Sequence, residues 1–266
     1  MKNSINAFLE IIKIFIFSKI SLIKSEQLKR CLICNDTEFI VFFSKYKYFL
    51  NLKIMKCNNC GMHFLNPRLN QRSLNFFYNN IYRGNFDLKN KNKIFERGRR
   101  RGKYIYEYIL NNLKKNDIKS VFEIGCGYGG ILDYFKEKNI RVVGSEKDQN
   151  IISFAKEKQL DIRNGELEVF DINEKCDLII LSHILEHIDN PKKFLKEIEK
   201  LLKPKGFIYI EVPGIENPKI IKRNYSIQVG HLYYFTKATL SNLFDNKEYN
   251  LVHSNDIIQM LVERRK

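Results

Sequence analysis

Four cysteines and two carboxylates carry the chemistry that can be read most directly from this chain. Cys31 and Cys34 form one C-x2-C pair, Cys57 and Cys60 a second, with 22 residues between the pairs and Gly61 directly after the last sulfur. Two such pairs can bring four thiolates onto one tetrahedral metal ion. Four sulfurs leave no open coordination position, so the metal, zinc by this ligand set, would be structural rather than catalytic. His63 is then a bystander. Further along, Val121-Phe-Glu-Ile-Gly-Cys-Gly-Tyr-Gly-Gly130 runs from an apolar strand into a glycine-rich turn and at once into a helix. Glycines permit the tight turn and let a ligand approach the backbone closely. Gly125, Gly127 and Gly130 also satisfy the dinucleotide spacing G-x-G-x-x-G, which by itself leaves the ligand open.

Two acids separate the possible ligands. Glu123 stands two residues before the first glycine, where a carboxylate would repel a pyrophosphate but suits an ammonium group. Glu146 lies 21 residues after Gly125, at the end of the next strand, Val142-Val-Gly-Ser-Glu146. That placement lets it accept hydrogen bonds from both hydroxyls of a ribose. S-adenosylmethionine offers an ammonium, a sulfonium, a carboxylate and a ribose, but no phosphate. Two acids around a glycine loop suit it better than they suit NAD.

Elements must hold these groups in place. The 266 residues suffice for one full α/β domain and a smaller unit. From Ser120 onward, short apolar runs (Val121–Ile124, Val142–Gly144, Leu178–Leu181, Phe207–Val212) alternate with helical stretches (Ile131–Lys138, Ile151–Lys158, Pro191–Leu202). Leu240–Phe244 reads as one more helix, and Asn250–His253 with Ile257–Val262 can supply the last strands. The alternation predicts an α/β fold, a Rossmann-like, doubly wound, mostly parallel sheet with helices on both faces. The predicted division is an apolar, amphipathic helix over 1–27, a metal-binding unit over 28–70, a helical connector over 71–115, and the sheet domain over 116–266. Within the connector, Gln71–Tyr82 and Lys93–Lys115 read as helices, with a polar stretch between them.

Charge and the N-terminal segment bound the partners. The net charge is +16, spread over runs such as Lys89-Asn-Lys-Asn-Lys93 and densest at Arg97, Arg99, Arg100, Arg101 and Lys103. A solvated basic surface and a nucleic-acid stripe both follow from such runs. Residues 5–23 are rich in Ile, Phe and Leu, yet Glu10, Lys13 and Lys19 cut the segment into runs far short of the roughly 20 residues that a spanning helix needs. Its polar residues fall on one narrow face, which suits docking on protein or lying on a membrane surface. A signal peptide is a third option, but no small-residue cleavage site follows. Paired cysteines without a secretion signal point to a reducing compartment, hence the cytoplasm, with or without contact between residues 1–24 and a membrane surface.

Glu123-Ile-Gly-Cys-Gly-Tyr-Gly resembles the first motif of class I S-adenosylmethionine-dependent methyltransferases. Cys176-Asp-Leu-Ile-Ile-Leu-Ser-His-Ile-Leu-Glu-His-Ile-Asp-Asn-Pro191 is similar to their fourth-strand motif, and Leu201-Leu-Lys-Pro-Lys-Gly206 to the turn before strand five. The likeness runs from residue 120 to about 245. It implies a cofactor site in which Glu123, Gly125, Cys126, Gly127 and Gly129 surround the methionine part, with Cys126 as packing and not a nucleophile. Glu146 and Lys147 would take the ribose, Leu167 and Glu168 would lie beside the adenine, and Ser182 and His183 would border the transferred methyl. The cysteine unit, through Cys57-Asn-Asn-Cys-Gly-Met-His-Phe-Leu-Asn-Pro67, resembles zinc-ribbon modules that precede methyltransferase domains in bacterial surface-sugar and natural-product pathways.

The acceptor is less defined. Methyl transfer is a direct displacement, which an enzyme assists by alignment and, for a hydroxyl or carbon acid, by a base. His183, His187 and His231 are candidates. His231, in Gly230-His-Leu-Tyr-Tyr-Phe-Thr236, resembles a recurring His-x-x-x-Phe-Thr/Ser element over the cofactor pocket, so His231 and His183 are the expected catalytic pair of alternatives. Glu186-His187 resembles a metal-holding pair of quinone-type O-methyltransferases and equally suits a helix-start pair that orients the loop. The preferred expectation is a small-molecule acceptor, such as a nucleotide sugar or glycan precursor of surface polysaccharide. RNA methylation and a non-catalytic cofactor-binding scaffold are the rivals. Against RNA, Ser182-His-Ile-Leu185 stands where an N-P-P-Y-type amine motif would be.

Overall fold

A computed structural model describes residues 24–47, 50–77, 90–113, 117–171, 173–217, 227–255 and 258–265. Residues 1–23 of the predicted N-terminal helix over 1–27, the end of the helix after residue 77, most of the polar connector, and residues 114–116 lie outside them; within the described end of that predicted helix, Ser25–Glu26 form a strand instead. The chain forms two units: Met1–Leu88 with Pro218–Tyr234, and Lys89–Asn217 with Phe235–Lys266. Among the described residues, no helix is long and apolar enough to cross a membrane.

In the smaller unit, β1 (Ser25–Glu26) pairs antiparallel with β5 (Arg68–Leu69). A second sheet holds β2 (Phe39–Lys47), β3 (Leu50–Cys57), β4 (His63–Leu65) and the distant β11 (Tyr233–Tyr234), in the order β11-β4-β3-β2. Aromatic and β-branched residues suit such pleated, half-buried strands, and Ile54, Phe64, Leu65 and Tyr233 fill the interior. The Asn66 side chain both accepts from the Leu28 backbone N–H and donates to its carbonyl, at 2.9 and 3.1 Å, which ties the chain before the first cysteine pair to the chain after the second. The short helix α1 (Gln71–Phe77) follows, its first turn capped by Asn70, whose Oδ1 accepts the Ser73 N–H.

The larger unit opens with α2 (Lys91–Asn112), which buries Phe95, Gly102, Ile105, Tyr108 and Ile109 along one stripe. Then come β6 (Ser120–Ile124), α3 (Gly130–Glu137), β7 (Arg141–Glu146), α4 (Gln149–Glu157), β8 (Ile162–Asn164), β9 (Cys176–Ser182), α5 (Pro191–Glu199), β10 (Leu202–Glu211), α6 (Lys237–Ser241), β12 (Tyr249–Ser254) and β13 (Gln259–Arg264). Seven strands form one sheet in the order β12-β13-β10-β9-β6-β7-β8. β8, β7, β6, β9 and β10 run parallel, and β13 lies antiparallel between β10 and β12. The mixed α/β fold with a mostly parallel sheet is the expected one. β8 has no counterpart among the predicted strands, since Ile162–Asn164 is too short to show a pattern.

Burial explains the order. Leu178 to Leu181 on β9 are completely buried, as an apolar run covered on both sheet faces must be. After β6 the chain steps outward to β7 and β8, then returns to β9 on the other side of β6 and steps to β10. With right-handed crossovers, the two directions put α3 and α4 on one face and α5 on the other. The reversal leaves a crevice at the carboxyl ends of β6 and β9, where open α/β sheets bind ligands. Helix starts are set locally: Asp148 accepts the Asn150 N–H, Asn190 accepts the Lys193 N–H ahead of Pro191, and Thr236 forms a reciprocal cap with Thr239.

Candidate active site and cysteine cluster

Glu123 sits near the carboxyl end of β6, paired with Gly144 on β7 and Ile180 on β9. A central parallel strand gives its side chains no water, and Glu123 is only 2% exposed. Its Oε2 has no hydrogen-bond partner among the described residues. Burial pushes its carboxyl up to about 8; the nearby Arg101 guanidinium opposes the shift and Glu146 adds to it. A buried carboxyl oxygen with no partner, at the sheet's ligand-binding edge, is a polar group held for something absent from the protein itself.

The loop after β6 takes its shape from glycine. Gly125 and Gly127 have φ of 67° and 53°, the left-handed region that side chains resist. A Cβ on Gly125 would meet Ile184 Cδ1, so the turn after β9 closes over this loop, whereas a Cβ on Gly127 would project into open space. Cys126 is buried below the loop; its sulfur lies where a Cβ on Gly144 would stand, and burial holds its thiol well above the ordinary value. Gly129 forms the left-handed N-cap of α3, with Leu160 and Ile162 beside it.

Glu146 ends β7, and its carboxylate faces the loop. Oε2 accepts the Gly127 N–H at 3.2 Å, and Oε1 accepts those of Lys147 and Asp148 at 2.7 and 3.0 Å. Oε1 has both lone pairs engaged, but Oε2 keeps a second one, so a ribose hydroxyl can still be accepted there. The Lys147 side chain turns to Glu166, 2.6 Å away. Leu167 begins a single 3-10 turn, Leu167–Val169, and is half-buried; Glu168 is exposed and accepts the Glu166 N–H at 3.0 Å.

Ser182 and His183 lie where β9 ends. His183 has φ of 58° and donates its backbone N–H to the Glu211 carbonyl. Its ring lies between two charged groups: Nδ1 is 3.2 Å from Glu186 Oε1, and Nε2 meets Arg101 Nη2. Glu186 is buried, 1% exposed, and its Oε1 is also 3.8 Å from His187 Nε2. Arg101 is fixed in turn by Glu211, with Nε to Oε2 at 3.1 Å and Nη2 to Oε1 at 2.7 Å. His231 belongs to the smaller unit, where its backbone N–H donates to the Gln228 carbonyl and its ring lies near Tyr234.

Arg101 and Glu211 are therefore site residues that the sequence did not single out as such. Glu211 carried one signal, an acid at the end of an otherwise apolar strand. Arg101 was legible only as part of a basic run. That run is divided in the structure: Arg99 pairs with Asp133 and Glu137 on α3, and Arg101 with Glu211.

In the smaller unit, the two cysteine pairs meet. Cys31 Sγ lies 3.6 Å from Cys60 Sγ, Cys34 Sγ lies 3.5 Å from Cys57 Sγ, and all four sulfurs are within 4.8 Å of one another. None is in a disulfide. Two tight turns present them: the Asn35 N–H returns to the Cys31 carbonyl, and the Gly61 N–H, at φ of 71°, to the Cys57 carbonyl. Sulfurs about 2.3 Å from a tetrahedral metal are about 3.8 Å apart, so the spacing suits a four-thiolate ion. Burial pushes the Cys31 and Cys60 thiols up, a cost that a bound cation reverses. His63 is buried against Phe42, with neither ring nitrogen hydrogen-bonded among the described residues, and burial followed by Lys56 holds its pKa down to about 4.

Comparison with known proteins gives the family. A ubiquinone biosynthesis O-methyltransferase of Pelagibacter ubique is 30% identical over 120 residues, 41% of this chain and 50% of that protein. The (S)-tetrahydroprotoberberine N-methyltransferase of Eschscholzia californica is 26% identical over 115 residues, 40% of this chain and 33% of that protein. The chain spans about a third to just over half of the length of the curated relatives it matches. Among solved structures, the plantazolicin methyltransferase BpumL in complex with SAH superposes with a TM-score of 0.53 at 14% identity, covering 73% of this chain and 94% of that one, a likeness of fold. The family described as "Methyltransferase domain" matches residues 95–254. Because that match takes in more than half of the chain, the protein belongs to the methyltransferase domain family.

Proposed function

We propose that this chain catalyses S-adenosylmethionine-dependent methyl transfer to a small molecule. The observation that carries the reading is Glu123, a buried carboxyl at the crevice beside the glycine loop with one oxygen that has no partner among the described residues. Glu123 would hold the ammonium group, the backbone of Gly125 and Gly127 would let the methionine part approach, and Glu146 would take the ribose. Leu167 and Glu168 would flank the adenine, with Lys147 nearby. When bound, the cofactor supplies an electrophilic methyl on a sulfonium. The protein's part is to align the acceptor beside Ser182 and His183 and to keep water out.

His231 or His183 is the base on this reading. The acceptor is a sugar or glycan precursor of surface polysaccharide. The similar proteins named for ubiquinone, plantazolicin and tetrahydroprotoberberine methylation support a small-molecule acceptor in general. RNA is disfavoured because Arg99 and Arg101 are engaged within their own unit. The four cysteines form a structural zinc site in a ribbon module over residues 28–70, followed by a connector whose helix Lys91–Asn112 packs within the larger unit and so belongs with the transferase domain.

Calorimetric titration of the purified chain with S-adenosylmethionine tests the core of this reading. Micromolar binding that Glu123→Gln weakens at least tenfold is expected, about 1.4 kcal/mol. No binding by folded, zinc-loaded protein would overturn it. Labelled-methyl transfer to a panel led by nucleotide sugars then tests the acceptor.

A further inference from the structure

A guanidinium has only donors. Arg101 Nη2 meets His183 Nε2, so Nε2 must carry the lone pair, and the ring proton sits on Nδ1, directed at Glu186 Oε1. Both neighbours enforce the same tautomer. The nitrogen that would accept a proton from an acceptor molecule is therefore occupied by Arg101.

Arg101 is anchored on one edge only. Its Nε and Nη2 form a side-on fork with the Glu211 carboxylate. Glu211 is itself held: Oε2 accepts the Tyr209 hydroxyl at 3.2 Å, that hydroxyl accepts Gln259 Nε2 at 3.0 Å, and Tyr209 and Gln259 are both buried. Nη2 carries two hydrogens; it lies 2.7 Å from Glu211 Oε1 in an ion pair and also meets His183 Nε2. Nη1 has no partner among the described residues, and the side chain is 34% exposed. The end-on edge of the guanidinium thus consists of an Nη1–H without a partner among the described residues and the Nη2–H that meets His183. A carboxylate or phosphate oxygen pair binding that edge needs both hydrogens.

The geometry points to Arg101 as a positioning residue that masks the His183 lone pair until an anion binds its end-on edge and takes the shared Nη2 hydrogen. Arrival of the anion then makes His183 Nε2 available to accept a proton. The left-handed backbone of His183, costly for a residue with a side chain, holds the ring in this bridging position. The inference rests on the methyl-transfer reading for its purpose, not for its geometry. The anion is the carboxylate of the cofactor or an anionic group of the acceptor.

Nitrogen-15 NMR of histidine-labelled, zinc-loaded full chain tests it, with the His183 signals assigned by their loss in His183→Asn. In the ligand-free protein, Nδ1 should be protonated and Nε2 unprotonated, and Arg101→Gln should shift the Nε2 signal. Glu211→Gln, which loosens the anchor without removing the arginine, should shift the same signal if Arg101→Gln does not fold. The anion that triggers release, carried by S-adenosylmethionine or supplied as inorganic phosphate, should shift Nε2 in the wild type and not in Arg101→Gln. If the cofactor carboxylate is the trigger, decarboxylated S-adenosylmethionine leaves Nε2 unmoved; if an acceptor anion is, inorganic phosphate moves it while neither cofactor form does. A ligand-free Nε2–H tautomer, or an Nε2 signal indifferent to both variants or to every anion, would overturn the proposal. Failure of the methyl-transfer reading shows separately, as calorimetric silence toward both cofactor forms with the ligand-free tautomer unchanged.

Discussion

Glu146 Oε2 accepts the backbone N–H of Gly127 at 3.2 Å, so the last residue of β7 fastens the loop that follows β6. Its other oxygen gathers the amides of Lys147 and Asp148. The carboxylate thus shapes the loop before any ribose arrives. Glu146→Ala should weaken S-adenosylmethionine binding at least tenfold and also lower stability by about 1–2 kcal/mol, since charged hydrogen bonds to three amides are lost from a half-exposed site. Glu146→Gln keeps one acceptor oxygen and should fall between. Calorimetry with urea denaturation of all three proteins checks both effects; unchanged stability in the alanine variant would reduce Glu146 to a ligand contact.

Glu123 sets a pH dependence with a definite sign. Its carboxyl is raised from an ordinary 4.5 to about 8, mainly by burial. Between those values the folded protein keeps a proton that the unfolded chain has released. Its contribution to stability is therefore full below about 4.5 and is lost as the pH rises through about 8. Glu123→Gln should flatten that fall. Added S-adenosylmethionine, whose ammonium favours the ionised carboxylate, should raise the melting temperature of the wild type more at pH 8 than at pH 6 and do so less in the variant. Parallel slopes for wild type and variant would contradict the assignment.

The parts of the site that lie within one turn of chain were legible. The glycines of the loop, Glu123 before them and the cysteine pairs are local patterns, and each marks a conformation or ligand set that few residues satisfy. Glu146 was legible because a βαβ unit has a nearly fixed length. Arg101 was not, because its pairing with Glu211 spans 110 positions and depends on how α2 lies against the sheet. Nor did periodicity separate it from its neighbours: in a run of adjacent arginines, the helix turns one into the site and another onto α3, and charge alone is blind to the difference. β11 was hidden for a similar reason, as two residues gain strand character only by pairing with β4.

The cysteine cluster makes a compositional prediction. The purified chain should carry about one zinc ion, and Cys57→Ser, which removes a buried sulfur, should lose it. Because such sites form only with the fold, chelation should open residues 31–65 to protease while the Lys91–Asn112 helix stays protected. Elemental analysis and limited proteolysis read both. A metal-free chain with the same cleavage pattern would mean that the four thiols pack without an ion.

The last prediction concerns the helix that carries Arg101. α2 and α3 meet backbone to backbone: a Cβ on Gly98 would lie 3.0 Å from Gly130 Cα, one on Gly102 2.9 Å from the Ile131 carbonyl oxygen, and one on Gly130 2.3 Å from the Phe95 carbonyl oxygen. Two opposed effects follow from alanine. Within α2 it gains about 1 kcal/mol of helix propensity, which offsets much of the crowding at Gly98. Gly130 opens α3, where propensity matters less, and its clash is with backbone that no rotamer change relieves. Gly130→Ala should therefore cost about 1–3 kcal/mol by forcing the helices apart, whereas Gly98→Ala stays near neutral. Moving α2 also withdraws Arg101 from Glu211, so Gly130→Ala should shift the His183 Nε2 signal as Arg101→Gln does. Urea denaturation and the NMR signal check the two halves, and equal stability of both alanine variants would show that the contact is softer than its distances imply.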